Sequence, residues 1–188
     1  MKTWRNIDMT DQKEFDAPLR NPYVALARAT IDLYVREKKV IDVPEDLPEE
    51  LVSSKAGAFV TIHKGGDLRG CIGTIVPTRP TLAEEIIGNA ILAATEDPRF
   101  FPVREEELSE LDISVDVLGE AEEVDSFDAL DPVRYGVIVT RGYRRGLLLP
   151  NLDGVDTVEE QVSIALRKAG ISGGDYKLER FEVIRHTE

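Results

Sequence analysis

The chain reads as an α+β protein: a mixed, largely antiparallel sheet carrying helices, built from a duplicated β-β-α-β unit, with a smaller lobe. Three observations predict it. Two turns rich in glycine or arginine, Lys64-Gly65-Gly66-Asp67 and Arg141 to Arg145, each separate two short apolar runs, the mark of a hairpin. Each return run is followed by a Thr-x-x-Glu capping box, Thr81 with Glu84 and Thr157 with Glu160, opening a helical pattern. The spacing then repeats, with eleven positions from Gly70 to Thr81 and eleven from Gly146 to Thr157.

The elements follow in order. Residues 1–20 mix charges without periodicity and read as a polar N-terminal arm, with Trp4 and Phe15 able to dock on the body; residues 21–188 read as a single domain. Asn21-Pro22 is an N-cap followed by proline at the first helical position. Tyr23, Leu26, Ala27, Thr30, Ile31 and Tyr34 then recur at helical spacing to about Lys39. Asp42 to Glu50 carries two prolines and five acids, a solvated connector with room for one short helical turn. Gly57–His63 is a strand, Leu68–Ile75 its return, and the first capping box starts a helix to about Thr95. Alternation over Asp112–Leu118 gives a third strand. The second set is Gly136–Thr140, Gly146–Leu149, a helix ending at Gly170, and Leu178–Arg185.

Charge and composition remove several function classes. A net charge of −13 repels phosphate backbones and anionic membrane surfaces alike. Apolar runs of a few residues cannot span a bilayer, and Met1–Arg20 lacks the apolar core of a signal peptide. A single cysteine allows no internal disulfide and fits a reducing, cytoplasmic setting. Two histidines, His63 and His186, are too few for a Cys/His zinc site, and no phosphate loop or dinucleotide fingerprint is present, so no metal or cofactor is expected.

Chemistry gathers at Leu68-Arg69-Gly70-Cys71-Ile72-Gly73. Gly70 and Gly73 strip side chains from around one thiol and one guanidinium, leaving room for something to approach. Counted outward from the Gly65-Gly66 turn, Ile62 pairs with Arg69 and Val60 with Cys71. Arg69 and Cys71 then share a face, and His63 lies on the other, against a cysteine–histidine dyad unless a bulge shifts the register. Cys71 has two readings, a small buried hydrophobe or a nucleophile activated by Arg69. An arginine among valine and isoleucine requires a carboxylate or a ligand. Asp97-Pro98-Arg99 is a rigid turn in which Asp97 can bond local backbone, and Arg99 can supply a second guanidinium. Arg141, Arg144 and Arg145 form the one basic cluster. A cleft between the two copies, with arginines converging on it, would suit a small anion or a peptide carboxylate.

These motifs carry a resemblance. Leu68–Gly73, Glu96-Asp97-Pro98-Arg99-Phe100 with Pro102, and Gly146-Leu-Leu-Leu-Pro150 are similar to three blocks of the AMMECR-type domain family, over about Pro22 to Arg185. The resemblance implies an α/β body with a duplicated element, a smaller lobe and a groove near the signature. Asn151 stands where the family commonly has Gln. Family members in prokaryotes resemble component A of the AmmeMemoRadiSam system, so a Memo-like protein and a radical SAM enzyme are implied as partners. Two functions follow as expectations. One is a binding or scaffold module whose groove holds a peptide or small anion, using Arg69, Gly70, Gly73, Asp97, Arg99, Arg145 and Asn151. The other is an enzyme or covalent carrier using Cys71, with Arg69 as activator or carboxylate clamp.

Overall fold

Asn21 opens the described chain, residues 21–188 of a computed structural model, and does two jobs. Its Oδ1 accepts the Tyr23 N–H at 3.1 Å, capping helix α1 (Pro22–Glu37), and its Nδ2 donates to His186 Nδ1 at 3.0 Å. The N-terminal arm expected over 1–20, with Trp4 and Phe15, lies outside the described residues.

The chain divides into two compact units. The first runs to Val117 and also holds Arg185–Glu188; the second is Leu118–Ile184. In the first, α1 stops at Lys38, whose left-handed φ of 57° lets its N–H reach Tyr34 O. The acidic connector ends in the short helix α2 (Glu49–Ser53), anchored by buried Leu51. Strands β1 (Ala58–Lys64) and β2 (Asp67–Gly73) form the expected hairpin, with Gly65 and Gly66 at φ +59° and +88°, the two positive values a type I′ turn requires. Helix α3 (Leu82–Thr95) and a 3₁₀ turn (Glu105–Glu110) lead to β3 (Leu111–Leu118), which pairs antiparallel with β1. One sheet face, with Ala58, Val60, Ile62, Ile113 and Val115, buries against Leu26 and Ile31 of α1 and Ile86 and Ala90 of α3. Gly70 permits this contact: a Cβ there would lie 2.3 Å from the Ala93 carbonyl of α3.

The second unit repeats the order. Strands β5 (Tyr135–Arg141) and β6 (Arg144–Leu148) are a hairpin, followed by helix α4 (Val158–Ala169) and β7 (Lys177–His186). A two-residue strand β4 (Glu122–Glu123) pairs with β7. Strand order is β2-β1-β3 in one unit and β6-β5-β7 in the other, and every described ladder within a unit is antiparallel. The fold is therefore α+β, with antiparallel strands carrying helices. Thr157 and Glu160 form the full reciprocal box. At α3 only half forms: Thr81 Oγ1 accepts the Glu84 N–H, but the Glu84 carboxylate takes the Thr81 hydroxyl proton rather than a backbone N–H. No described helix is long and apolar enough to cross a membrane.

Candidate functional site

The site begins with a register that differs from one-for-one counting. Lys64–Asp67 and His63–Leu68 pair as expected, but Ile62 then faces Gly70, Thr61 faces Cys71 and Phe59 faces Gly73, with a bulge between Ile62 and His63. Arg69 is the extra residue. The cause is packing: only a glycine fits under Ala93 O on the core face, so Gly70 takes that position and one residue is extruded. Cys71 consequently lies with Thr61 and His63 on the face away from the core, not with Val60 and Ile62. Thr61 Oγ1 and Cys71 Sγ share a hydrogen bond of 3.2 Å. Among the described residues no hydrogen bond joins His63 to the thiol.

Two ion pairs then close the outer side of β2. Asp97 is buried and accepts four hydrogen bonds. Oδ2 takes the Cys71 N–H at 2.9 Å and Arg99 Nη2 at 2.7 Å; Oδ1 takes the Arg99 N–H and Nε at 3.1 and 3.0 Å. The Arg99 bonds hold its carboxyl far below the usual carboxylate range. Arg99 Nη2 also reaches Cys71 O at 3.4 Å, so both outward backbone groups of Cys71 are engaged, which blunts the strand edge. Arg69 forms the second pair, forked onto Glu107 through Nε–Oε1 at 3.0 Å and Nη2–Oε2 at 2.9 Å. Its remaining donors hold the carbonyls of Phe101 at 2.9 Å and Pro102 at 3.4 Å. The Arg69 fork lowers the Glu107 carboxyl to about 2.

These pairs decide the state of the thiol. Burial pushes the Cys71 pKa up; the Thr61 hydrogen bond and the Arg99 charge oppose this without overcoming it, and Asp116 and Asp97 reinforce it. Arg69 is committed to Glu107. At neutral pH Cys71 is a protonated, weakly nucleophilic group.

Residues 24–187 match the AMMECR1 family along nearly the whole described chain. The chain belongs to the AMMECR1 family. It is 56% identical over 169 residues to a Thermotoga maritima protein, covering 88% of this chain and 97% of that one. A Clostridium acetobutylicum protein is 51% identical over 95% of this chain, but the match spans only 38% of that longer protein. The solved structure of an uncharacterised Pyrococcus horikoshii protein superposes with a TM-score of 0.79 at 35% identity, covering 87% of this chain and 88% of that one.

Within this AMMECR1 fold, the other residues singled out by sequence fall as follows. The space left by Gly73 is filled from within: a Cβ there would lie 2.2 Å from the Phe59 ring, as one at Gly70 would meet Ala93 O. What approaches both glycines is the protein's own chain. Arg145 and Asn151 belong to the second unit. Arg145 is exposed on β6 beside the hairpin tip, and Asn151 turns the chain at φ +53°, its N–H bonded to Pro132 O at 2.8 Å. Glu107 and Thr61 were not singled out. Glu107 stands in the run Glu105-Glu106-Glu107, indistinguishable by pattern from a solvated acidic stretch, although Arg69's need for a carboxylate was the signal for it. Among the described residues no cluster of His, Cys, Asp or Glu could hold a metal ion.

Proposed function

We propose that this AMMECR1-family protein is a cytoplasmic binding module, and that the outer side of β2 with the 97–102 loop receives a peptide or small anion for a partner enzyme. The observation behind this reading is the contrast between committed and uncommitted groups. The thiol is protonated and Arg69 is consumed by Glu107. Arg99, by contrast, has its side chain 54% exposed and keeps Nη1 without a partner among the described residues. Phe101 follows two residues on, 86% exposed with its carbonyl held by Arg69, and the Arg99 guanidinium lies 5.5 Å from the Phe100 ring centroid. An arginine donor next to a rigid exposed aromatic suits a carboxylate with an apolar side chain adjacent. Asp97 neutralises part of the Arg99 charge, which favours a peptide over a free anion. The Clostridium relative, where the matched region is one part of a longer protein, is in keeping with a module that works alongside others. A Memo-like protein and a radical SAM enzyme are the partners the family resemblance suggests.

A second reading has one observation in its favour: the bulge puts His63 and Cys71 on the same face, as a covalent role for Cys71 would need. Alkylation of the sole thiol in native protein across pH 5–9.5 separates the two. Slow reaction that rises only above the ordinary thiol value of about 8.5 is expected for the binding module. Rapid alkylation with a midpoint well below that value would instead establish the enzyme or carrier. Phe101→Ala should abolish co-purification with a co-expressed Memo-like partner at unchanged melting temperature, whereas Arg99→Ala should abolish it and also lower the melting temperature, because buried Asp97 loses its charged partner.

A further inference from the structure

The β5–β6 hairpin tip carries a surface that the first-unit site does not use. Gly142 sits at φ +61°, the first central position where a type II′ turn places its glycine, and Tyr143 follows it, 92% exposed. Arg141 and Arg144 are directly opposed across the turn, a like-charged pair that destabilises a hairpin by itself. Neither they nor Arg145 pairs with a carboxylate among the described residues. Arg141 Nη1 instead donates to Gly173 O at 2.6 Å, and Arg144 Nη1 to Gly170 O at 2.8 Å, which braces the tip on the loop after α4. The Arg144 guanidinium also lies 5.9 Å from the Tyr143 ring centroid. Arg145, exposed, makes no ion pair. By contrast Lys177, opposite Thr140 on the adjoining strand, is neutralised by Glu179 and Glu123.

The tip gathers three guanidiniums without a carboxylate partner among the described residues around an open aromatic ring, in a chain whose net charge is −13. We infer that the tip formed by Arg141, Tyr143, Arg144 and Arg145 is a docking surface for an extended acidic segment of a partner protein. Carboxylates of that segment would lie against the guanidiniums and an apolar residue against Tyr143. Charge selects the occupant: the overall negative field rejects nucleic acid and anionic membranes, whereas a short acidic peptide reaches this clustered positive tip without facing the remaining surface.

Fluorescence anisotropy of a labelled peptide of three Glu-Glu-Leu repeats, roughly 30 Å when extended, tests the inference on the full chain. Binding should weaken about tenfold in Arg145→Glu and in Tyr143→Ala, and fall with added salt. The charge-matched control Lys55→Glu, exposed in the first unit, should bind like the unaltered protein. Loss in the control equal to that in Arg145→Glu would overturn the inference, since only global charge would then matter. So would equal or tighter binding of a labelled single-stranded oligonucleotide. A dimer in light scattering that Arg145→Glu dissolves would make a second copy of the chain the occupant and overturn it too. Because the tip lies in the second unit, none of these outcomes depends on the Arg99–Phe101 site.

Discussion

The two units share an element order, hairpin then helix then strand, and differ in what they add to it. In both, a hairpin glycine sits under a helix carbonyl: Gly70 under Ala93 O, Gly146 under Ala165 O. In both, a phenylalanine ring covers a strand glycine, Phe59 over Gly73 and Phe181 over Gly136. In both, a fully buried helix amide donates to the carbonyl at the head of the first strand, Asn89 to Ala58 at 2.9 Å and Gln161 to Tyr135 at 2.8 Å. The kinds of contact recur, but their positions do not: with Gly70 set against Gly146, Ala93 falls on Ala169 rather than Ala165 and Asn89 on Ala165 rather than Gln161, and the two phenylalanines stand on different strands. The difference lies at Thr61–Cys71, whose counterpart pair is Ile138–Leu147, and in the segment after the helix. The second unit passes from α4 to β7 in a few residues. The first inserts the stretch that carries Asp97, Arg99, Phe101 and Glu107. Recurring kinds of contact maintain the fold, and the first unit departs from them at Thr61–Cys71 and in the 97–107 stretch.

The comparison breaks most readily at its shared glycines. Gly70→Ala and Gly146→Ala each drive a Cβ to within 2.3 or 2.2 Å of a backbone carbonyl, and each should cost about 3 kcal/mol or more in urea unfolding. A tolerated alanine at either site would end the equivalence. Next in size is the pair with no counterpart. Glu107→Gln should cost on the order of 2–3 kcal/mol near neutral pH. Its folded pKa is depressed to about 2 from the usual 4.5, so its stabilisation is present above 4.5 and is lost as pH falls from there towards 2. The unaltered protein should therefore lose stability more steeply across that window than Glu107→Gln. Parallel curves would show the fork to be inert.

Smaller effects sharpen the match. Asn89→Ala and Gln161→Ala should each cost about 1–2 kcal/mol by leaving a strand carbonyl unpaired, and the two losses should be similar. Cys71→Ser should change stability by less than about 1 kcal/mol, since the Thr61 partner accepts a hydroxyl as well as a thiol. A large drop in melting temperature would make the thiol a core group like Leu147. Last, His186 stacks on Tyr23 at a centroid distance of 3.7 Å, and burial lowers its pKa. Its contribution is complete above the usual 6.5 and lost as pH falls below that value, so His186→Ala should flatten the melting temperature between about pH 7 and 5.

What was legible in the chain was local. Asn21-Pro22, the Gly65-Gly66 turn and the Thr157–Glu160 box each complete their chemistry within a few residues, and the element order followed from them. The register at Cys71 was not local, because Gly70's place on the core face is dictated by the end of α3, more than twenty residues on. Arg69's need for a carboxylate was readable from its apolar neighbours, yet the identity of that carboxylate was not. One glutamate among three in a row is selected by the 3₁₀ turn that carries it, where the Glu107 carboxylate accepts the Arg104 N–H at 3.0 Å, and arginine is not a residue that marks an N-cap in sequence.

Asn21 bonds His186, and Arg28 bonds Glu188, although some 160 positions separate the partners. During synthesis the second unit has all its residues before the first does. The segment translated earliest among the described residues therefore waits for partners that are translated only after the whole of the second unit.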